Sequence, residues 1–370
     1  MTLKKTKYTA FATLLLGLVL GNTVLGQTVS TAKQSSIEIV SKLQKPKKAL
    51  RAKEKDFAGY LLVYFKDQNQ SAYLAISQDG YTFTDINNGE PLFIGSQLAQ
   101  QKGVRDPHIS RGPDGAFYLA MTDLHIFGKR AGFRETEWER PLEKYGWGNN
   151  RALILMKSYD LIHWTHSDFR VDTAFPELGD IDCSWAPQTI YDDEKKKMMV
   201  YFTIRYNNKD ANIYFSYTND DFTKLETKPE RITEIGGIDA DITKVGNKYQ
   251  MFYVGGAKIK YAVSDKINQD FKGDEKRIDP EKVSTEAPNL FKRLGTDKYV
   301  LMYDVYGARP SNMGFSETTD FINFKDLGHF NEGQMKTTNF TSPKHGAVTY
   351  LTKKELKAIV QFWKLDLKIE

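Results

Sequence analysis

A chain of 370 residues with 40% apolar content can bury a large core as one big domain or two ordinary ones, and a formal charge of +5 without a basic stripe argues against a nucleic-acid partner. Its aromatic share, 13%, favours β-structure and suits surfaces that stack on sugar rings. A single cysteine, Cys183, excludes an internal disulfide, a multi-cysteine metal site and lipid attachment at a signal cleavage point.

The N-terminus carries Lys4, Lys5 and Lys7 before an apolar run over residues 8–20 and a small-residue site, Val24-Leu25-Gly26. This reads as a secretory signal peptide over 1–26, cleaved near Gly26. A membrane anchor needs ~20 apolar residues, and Gly17, Gly21, Asn22 and Thr23 interrupt this stretch early. A periplasmic or secreted protein is expected, with no stable membrane insertion after cleavage. Residues 27–56, rich in Lys, Ser and Gln, read as a lead-in or linker, and 57–370 as the folded domain.

From Gly59 onward one pattern recurs five times: an apolar strand, Ser or Thr, Asp, then an aromatic. Its copies end at Ser77/Asp79, Ser158/Asp160, Thr218/Asp220, Ser264/Asp265 and Ser316/Asp320. An aromatic-rich second strand precedes each copy, over residues 61–65, 117–121, 199–202, 249–253 and 299–303, and turn residues such as Pro113-Asp114-Gly115 make most of these the hairpin partner of a strand upstream. Those first strands open at Asp106, Trp185, Asp239 and Glu286. The fifth is missing at the N-terminus, but a strand at His345 lacks a partner at the other end, so the two ends complete each other. Unit length, strand count and matching ends predict an all-β, five-bladed β-propeller closed by its N- and C-terminal strands. Thr352-Lys353-Lys354-Glu355 reads as a capping box opening a helix that ends near Trp363.

Innermost strands of a propeller begin around a central channel, which brings Asp106, Trp185, Asp239, Glu286 and His345 together. Paired carboxyls at one concave point suit acid/base cleavage of a glycosidic bond, since mutual repulsion keeps one protonated. Taken singly, each carboxylate is an ordinary strand-end residue. Their equivalence across repeats gives them weight.

Five segments in order, Val104-Arg105-Asp106-Pro107-His108-Ile109, Trp185-Ala186-Pro187-Gln188, Ile238-Asp239-Ala240-Asp241-Ile242, Glu286-Ala287-Pro288 and Ser342-Pro343-Lys344-His345-Gly346, resemble glycoside hydrolase family 43, in particular its secreted bacterial arabinosidase-like members. The resemblance implies an inverting mechanism with Asp106 as base, Glu286 as acid and Asp239 orienting and tuning the acid. Asp241, two residues on and on the same strand face, rivals Asp239. It implies that His345 contacts the sugar or helps hold a hydrated calcium; no cofactor is required, and calcium stays open. His108 and His125 lack the ligand spacing of a zinc site.

A long insertion over residues 124–150 carries Phe127, Phe133, Trp138, Tyr145 and Trp147 and reads as a pocket wall, with Trp147 and Asp123 as sugar contacts beside Trp185. The alternative packs these aromatics onto their own blade. Arg309 is a candidate donor to a sugar hydroxyl or a plain surface arginine, and Glu177, Asp180 and Asp182 read as a solvated loop, with binding of a sugar hydroxyl at the channel mouth as the alternative. The expected partner is an oligosaccharide or polysaccharide. The expected activity is exo-acting hydrolysis of pentosidic bonds in plant-type side chains, α-L-arabinofuranosides first, with a β-xylosidase, a galactosidase or a non-catalytic carbohydrate-binding propeller as alternatives. Lys344 beside His345 is a slight hint of a phosphorylase. A retaining fructosidase-like enzyme lacks support, because the Asn-Asp-Pro-Asn motif is absent.

Overall fold

Short polar turns end the strands of this computed structural model, which describes residues 36–46, 51–128, 132, 140–274 and 276–369. Asp79 Oδ1 accepts the N–H groups of Tyr81 and Thr82 at 2.7 and 2.8 Å, Asp160 Oδ1 those of Ile162 and His163 at 2.9 and 2.8 Å, and Asp320 Oδ1 those of Ile322 and Asn323 at 2.9 and 2.8 Å. One carboxylate oxygen that captures two successive N–H groups closes an Asx turn, so the recurring Ser/Thr-x-Asp pattern is a chain reversal. In the third copy Asn219 does this work instead, accepting from Thr223 N and Lys224 N at 2.8 and 3.1 Å.

The strands form five sheets. Blade one comprises β22 (Lys344–Thr352), β2 (Phe57–Lys66), β3 (Ser71–Ser77) and β4 (Thr82–Asp85), with β21 (Lys336–Thr337) added in parallel. Blade two runs β5 (Val104–Arg111), β6 (Phe117–Asp123), β7 (Ala152–Ser158) and β8 (His163–Arg170), and β1 (Glu38–Ile39) joins its edge in parallel. Blade three is β9 (Cys183–Asp192), β10 (Lys197–Arg205), β11 (Asn212–Tyr217) and β12 (Glu230–Gly236). Blade four is β13 (Ile238–Val245), β14 (Lys248–Val254), β15 (Ile259–Ser264) and β16 (Lys272–Gly273). Blade five is β17 (Glu286–Lys292), β18 (Tyr299–Val305), β19 (Asn312–Thr318) and β20 (Lys325–His329).

First strands touch around the ring: β22 with β5, β5 with β9, β9 with β13, β13 with β17, and β17 with β22. The ring closes through antiparallel pairing of β2 with β22, from Phe57↔Thr352 to Phe65↔Lys344, as expected of a propeller that must hide its edge. Second strands are buried on both faces, which is why they read as unbroken apolar runs. Leu61, Val63 and Phe65 of β2 pack toward blade two, whereas Leu62 and Tyr64 pack toward blade five. Five such clusters fill the five gaps between blades.

The capping box forms: Thr352 Oγ1 accepts Glu355 N at 3.3 Å and Glu355 Oε2 accepts Thr352 N at 2.8 Å, opening the helix Lys353–Phe362. Part of the lead-in is tied down. Besides the β1 pairing, Arg51 meets Asp193 at 3.0 Å. Two bridging residues carry no periodicity, so this attachment left no trace in the sequence. The signal peptide over 1–26, and Phe133 and Trp138, lie outside the described residues.

Candidate active site

Every first strand kinks at the same place. Asp106, Ala186, Asp239, Ala287 and His345 all adopt positive φ, 49°, 46°, 51°, 55° and 25°, and the pairing with the second strand shifts register there. Left-handed non-glycine residues are strained, and such strain concentrates where side chains are aimed at a purpose. The kinks also correct the expected equivalence. Asp106, Asp239 and His345 stand in register with Ala186 and Ala287, whereas Trp185 and Glu286 stand one residue earlier, in the row of Arg105, Ile238 and Lys344. The site is therefore built from two adjacent rows.

Asp106 is gripped from two sides. His345 Nδ1 lies 3.3 Å from its Oδ1, and Thr122 Oγ1 donates to its Oδ2 at 2.8 Å while accepting Ala186 N at 2.9 Å. Burial pushes the carboxyl up, but His345, Arg105 and Thr122 together bring its pKa down to about 2. Asp239, placed by a bond from its own N–H to Thr203 Oγ1 at 3.3 Å, is raised to about 7 by burial. His345 pulls it down, and the Glu286 and Asp106 charges push it up. Glu286 is likewise raised by burial, against the pull of Lys344 and His345. Its side chain is 28% exposed, against 15% for Asp106, so it is the more open to solvent of the two. His345 is raised despite burial because it faces Asp106, Asp239 and Glu286.

Lys344 sits among three carboxylates, 3.3 Å from Asp67, 3.5 Å from Asp304 and 3.7 Å from Glu286. Arg105 binds Asp67 at 2.7 Å. Asp67, Arg105, Thr122 and Asp304 escaped the sequence reading. A signal existed for Asp304, a lone acid inside the apolar run Val300-Leu301-Met302-Tyr303-Asp304-Val305.

Asp241 and His108 serve a different end. Asp241 accepts Leu290 N at 3.0 Å and Asn289 Nδ2 at 2.9 Å, and Asn289 Oδ1 accepts Val348 N at 2.9 Å. His108 Nδ1 accepts Thr189 N at 3.2 Å. In each case a side chain on one first strand captures a backbone N–H of the next. Gln188 completes the row through Tyr201, whose hydroxyl donates to it at 3.2 Å and accepts Ile242 N at 2.8 Å. The row of His108, Gln188, Asp241 and Asn289 straps blade to blade.

Trp185 is locked by Nε1 donating to Gly148 O at 2.7 Å and by Arg205 over its ring at 4.4 Å. Trp147 stands edge-on to it at 5.9 Å and is 57% exposed. Arg205 also donates to Tyr145 O and Trp147 O at 2.6 and 2.9 Å, so the described end of the insertion is pinned to blade three. Asp182 is no part of a solvated loop, because it is buried against Arg205 at 3.4 Å and accepts Asn208 N. Asp180 holds Lys144 at 2.7 Å and Tyr145 at 2.8 Å, while Glu177 is exposed.

Asp123 has no surface to offer a sugar. It is fully buried, accepts Gln101 N at 2.8 Å and faces Asp168. Strand alternation turns Thr122, its neighbour, into the site instead. Arg309 folds back on its own loop, donating to Tyr306 O at 2.7 Å and Ala308 O at 3.0 Å. His125 is buried and accepts Phe127 N through Nδ1 at 3.2 Å. Among the described residues no group of three or more His, Cys, Asp or Glu is arranged to hold a metal ion. His345 Nε2, buried without a hydrogen-bond partner, is an atom that the water shell of a calcium ion would address.

The glycosyl hydrolase 43-related family model, described as a probable glycosyl hydrolase domain, matches residues 55–357. An α-L-arabinofuranosidase of Bifidobacterium longum subsp. longum is 25% identical over 244 residues, covering 56% of this chain and 21% of that protein. The chain thus spans about a fifth of that relative's length. Among solved structures, a family-43 protein of Bacillus licheniformis aligns at 15% identity over 76% of this chain and 54% of its own, with a TM-score of 0.48. The catalytic domain of a Coprinopsis cinerea family-62 α-L-arabinofuranosidase aligns at 15% over 65% and 74%, with a TM-score of 0.44. Matched by the family model over most of its length, the chain belongs to the glycosyl hydrolase 43-related family.

Proposed function

We propose that the protein is an exported, inverting, exo-acting glycosidase that removes α-L-arabinofuranosyl side groups from plant-type oligosaccharides or polysaccharides. Asp106 takes a proton from the attacking water as that water bonds to the anomeric carbon. On the opposite face Glu286 gives its proton to the departing glycosidic oxygen, and the C–O bond breaks with its electrons on the leaving group. Asp239, beside Glu286, orients the acid and disfavours loss of its proton. Trp185 and Trp147 border the sugar. A hydrated calcium beside His345 would add positive charge there, and no proton passes through it.

The observation that carries this reading is the unequal hold on the two carboxyls: His345 and Thr122 keep Asp106 ionised, and burial favours the protonated form of Glu286. Engagement of Asp241 in a strap between blades favours Asp239 as the tuning residue. The arabinose preference leans on the name of the Bifidobacterium relative. The test is a panel of nitrophenyl glycosides, with Glu286→Gln assayed alongside on an unactivated oligosaccharide, whose leaving oxygen needs a proton. Release of arabinose, abolished in the variant while ligand binding persists, is expected; normal turnover by the variant sinks the assignment, and release of xylose or galactose replaces the substrate. NMR of the first-formed sugar should show the inverted anomer, and initial retention overturns the mechanism.

A further inference from the structure

One second-strand position faces the row of Glu286 in every blade: Phe65 pairs with Lys344, Thr122 with Arg105, Thr203 with Trp185, Val254 with Ile238 and Asp304 with Glu286. In blades two and three a threonine hydroxyl there accepts the N–H of the next blade's kinked residue, Ala186 at 2.9 Å and Asp239 at 3.3 Å. Blade five carries a carboxylate at this position instead. Asp304 is almost wholly buried, and neither of its oxygens has a hydrogen-bond partner. A desolvated carboxylate with no donor is costly, and fold stability alone favours threonine there. What Asp304 has is Lys344, 3.5 Å away, the same ammonium that stands 3.7 Å from Glu286.

The charges around this pair set the outcome. Arg105, Lys344 and a protonated His345 oppose Asp67, Asp106, Asp239, Glu286 and Asp304. Asp67 has both Arg105 and Lys344, and Asp106 has His345, so these two hold their charge. Asp239, Glu286 and Asp304 compete for what remains. With Lys344 unopposed by Asp304, its field would fall on Glu286 and favour the ionised glutamate.

Resting on the acid role of Glu286, we propose that Asp304 is a positioning residue for that acid: it holds Lys344 to itself and so keeps Glu286 protonated for transfer to the leaving oxygen. Burial raises Asp304 as well, to about 7, and the Glu286 charge adds to the rise, so the two groups sense each other. Loss of the proton on Glu286 sets the alkaline limb of the pH profile.

The experiment compares kcat/KM against pH for a phenyl glycoside, which needs protonation to leave, and a 2,4-dinitrophenyl glycoside, which does not. Asp304→Thr restores the residue used in blades two and three and keeps the fold. Both Asp304→Thr and Asp304→Asn should move the alkaline limb about one unit toward acid, and cost about tenfold at neutral pH on the phenyl glycoside only. Lys344→Met should move the limb the opposite way. A merely structural role lowers melting temperature and both substrates alike, with the limb in place, and that result overturns the inference. Glu286→Ala separates the layers. If it slows the phenyl and dinitrophenyl glycosides alike, the acid assignment fails and the inference with it; if it loses the phenyl glycoside and spares the dinitrophenyl one but the limb is unmoved in both Asp304 variants, the inference alone fails.

Discussion

One hydroxyl at Thr122 both steadies the Asp106 carboxylate and receives the Ala186 N–H of the next blade. Thr122→Val keeps the shape and removes both bonds. The expected result is a loss of about 1–3 kcal/mol in stability, measured by denaturant melts, and an acid limb of kcat/KM that moves upward because Asp106 loses a donor to its charged form. Thr122→Ser should restore both. At this scale the sequence offered Asp106 and Glu286 through their positions in the repeat, yet it chose Asp123 over Thr122. An acid is conspicuous in a string of letters. Which of two neighbours faces the channel depends on strand phase, which the packing of β6 in its blade sets.

First strands act as elements through their straps. Asp241 and Asp239 lie two residues apart, but Asp241 ties blade four to blade five and Asp239 lies in the carboxyl cluster. Asp241→Ala leaves Leu290 N and the Asn289 amide unsatisfied in the interior, which should cost about 2–4 kcal/mol. Asp239→Ala should lower turnover by orders of magnitude with melting nearly unchanged. Equal melting of the two variants contradicts the division. The repeat of strands and Asx turns was plain in the sequence because strand ends need Ser, Thr, Asn and Asp at fixed offsets. The β1 attachment was not, since backbone pairing of two residues asks nothing of their side chains.

For the whole ring, buried carboxyls set the dependence of stability on pH. Asp239, Asp241 and Asp304 are each raised to about 7, chiefly by burial, so from about pH 4, the unfolded value, to pH 7 the folded chain holds more protons than the unfolded one and stability falls as pH rises. Raised His345 acts in the same direction: its contribution is whole below about pH 6.5 and is lost as pH rises through its folded value. His108, lowered to about 3 by burial and the His345 charge, opposes them. Asp106, lowered to about 2, contributes a stability that is lost only as pH falls from about 4 through that value. Melting temperature should therefore peak near pH 4–5 and decline toward pH 7, with a gentler decline in Asp304→Thr. A rise across that range would contradict the cluster.

Two kinds of information meet in this molecule. Repeat, turn chemistry and unbroken apolar second strands were written locally, because each depends on residues a few positions apart, and they sufficed for a five-bladed ring with its ends paired. Local spacing also placed Asp106, Asp239, Glu286 and His345 at strand heads. Tertiary structure alone decided their protonation and their partners: Lys344 serves Glu286, Asp304 and Asp67 from three separate stretches of chain, and burial raises Asp239, Asp241, Glu286 and Asp304 while contacts lower Asp106. Charge interactions act through space across the ring, and desolvation belongs to the packed whole, so neither has a signature in the order of residues.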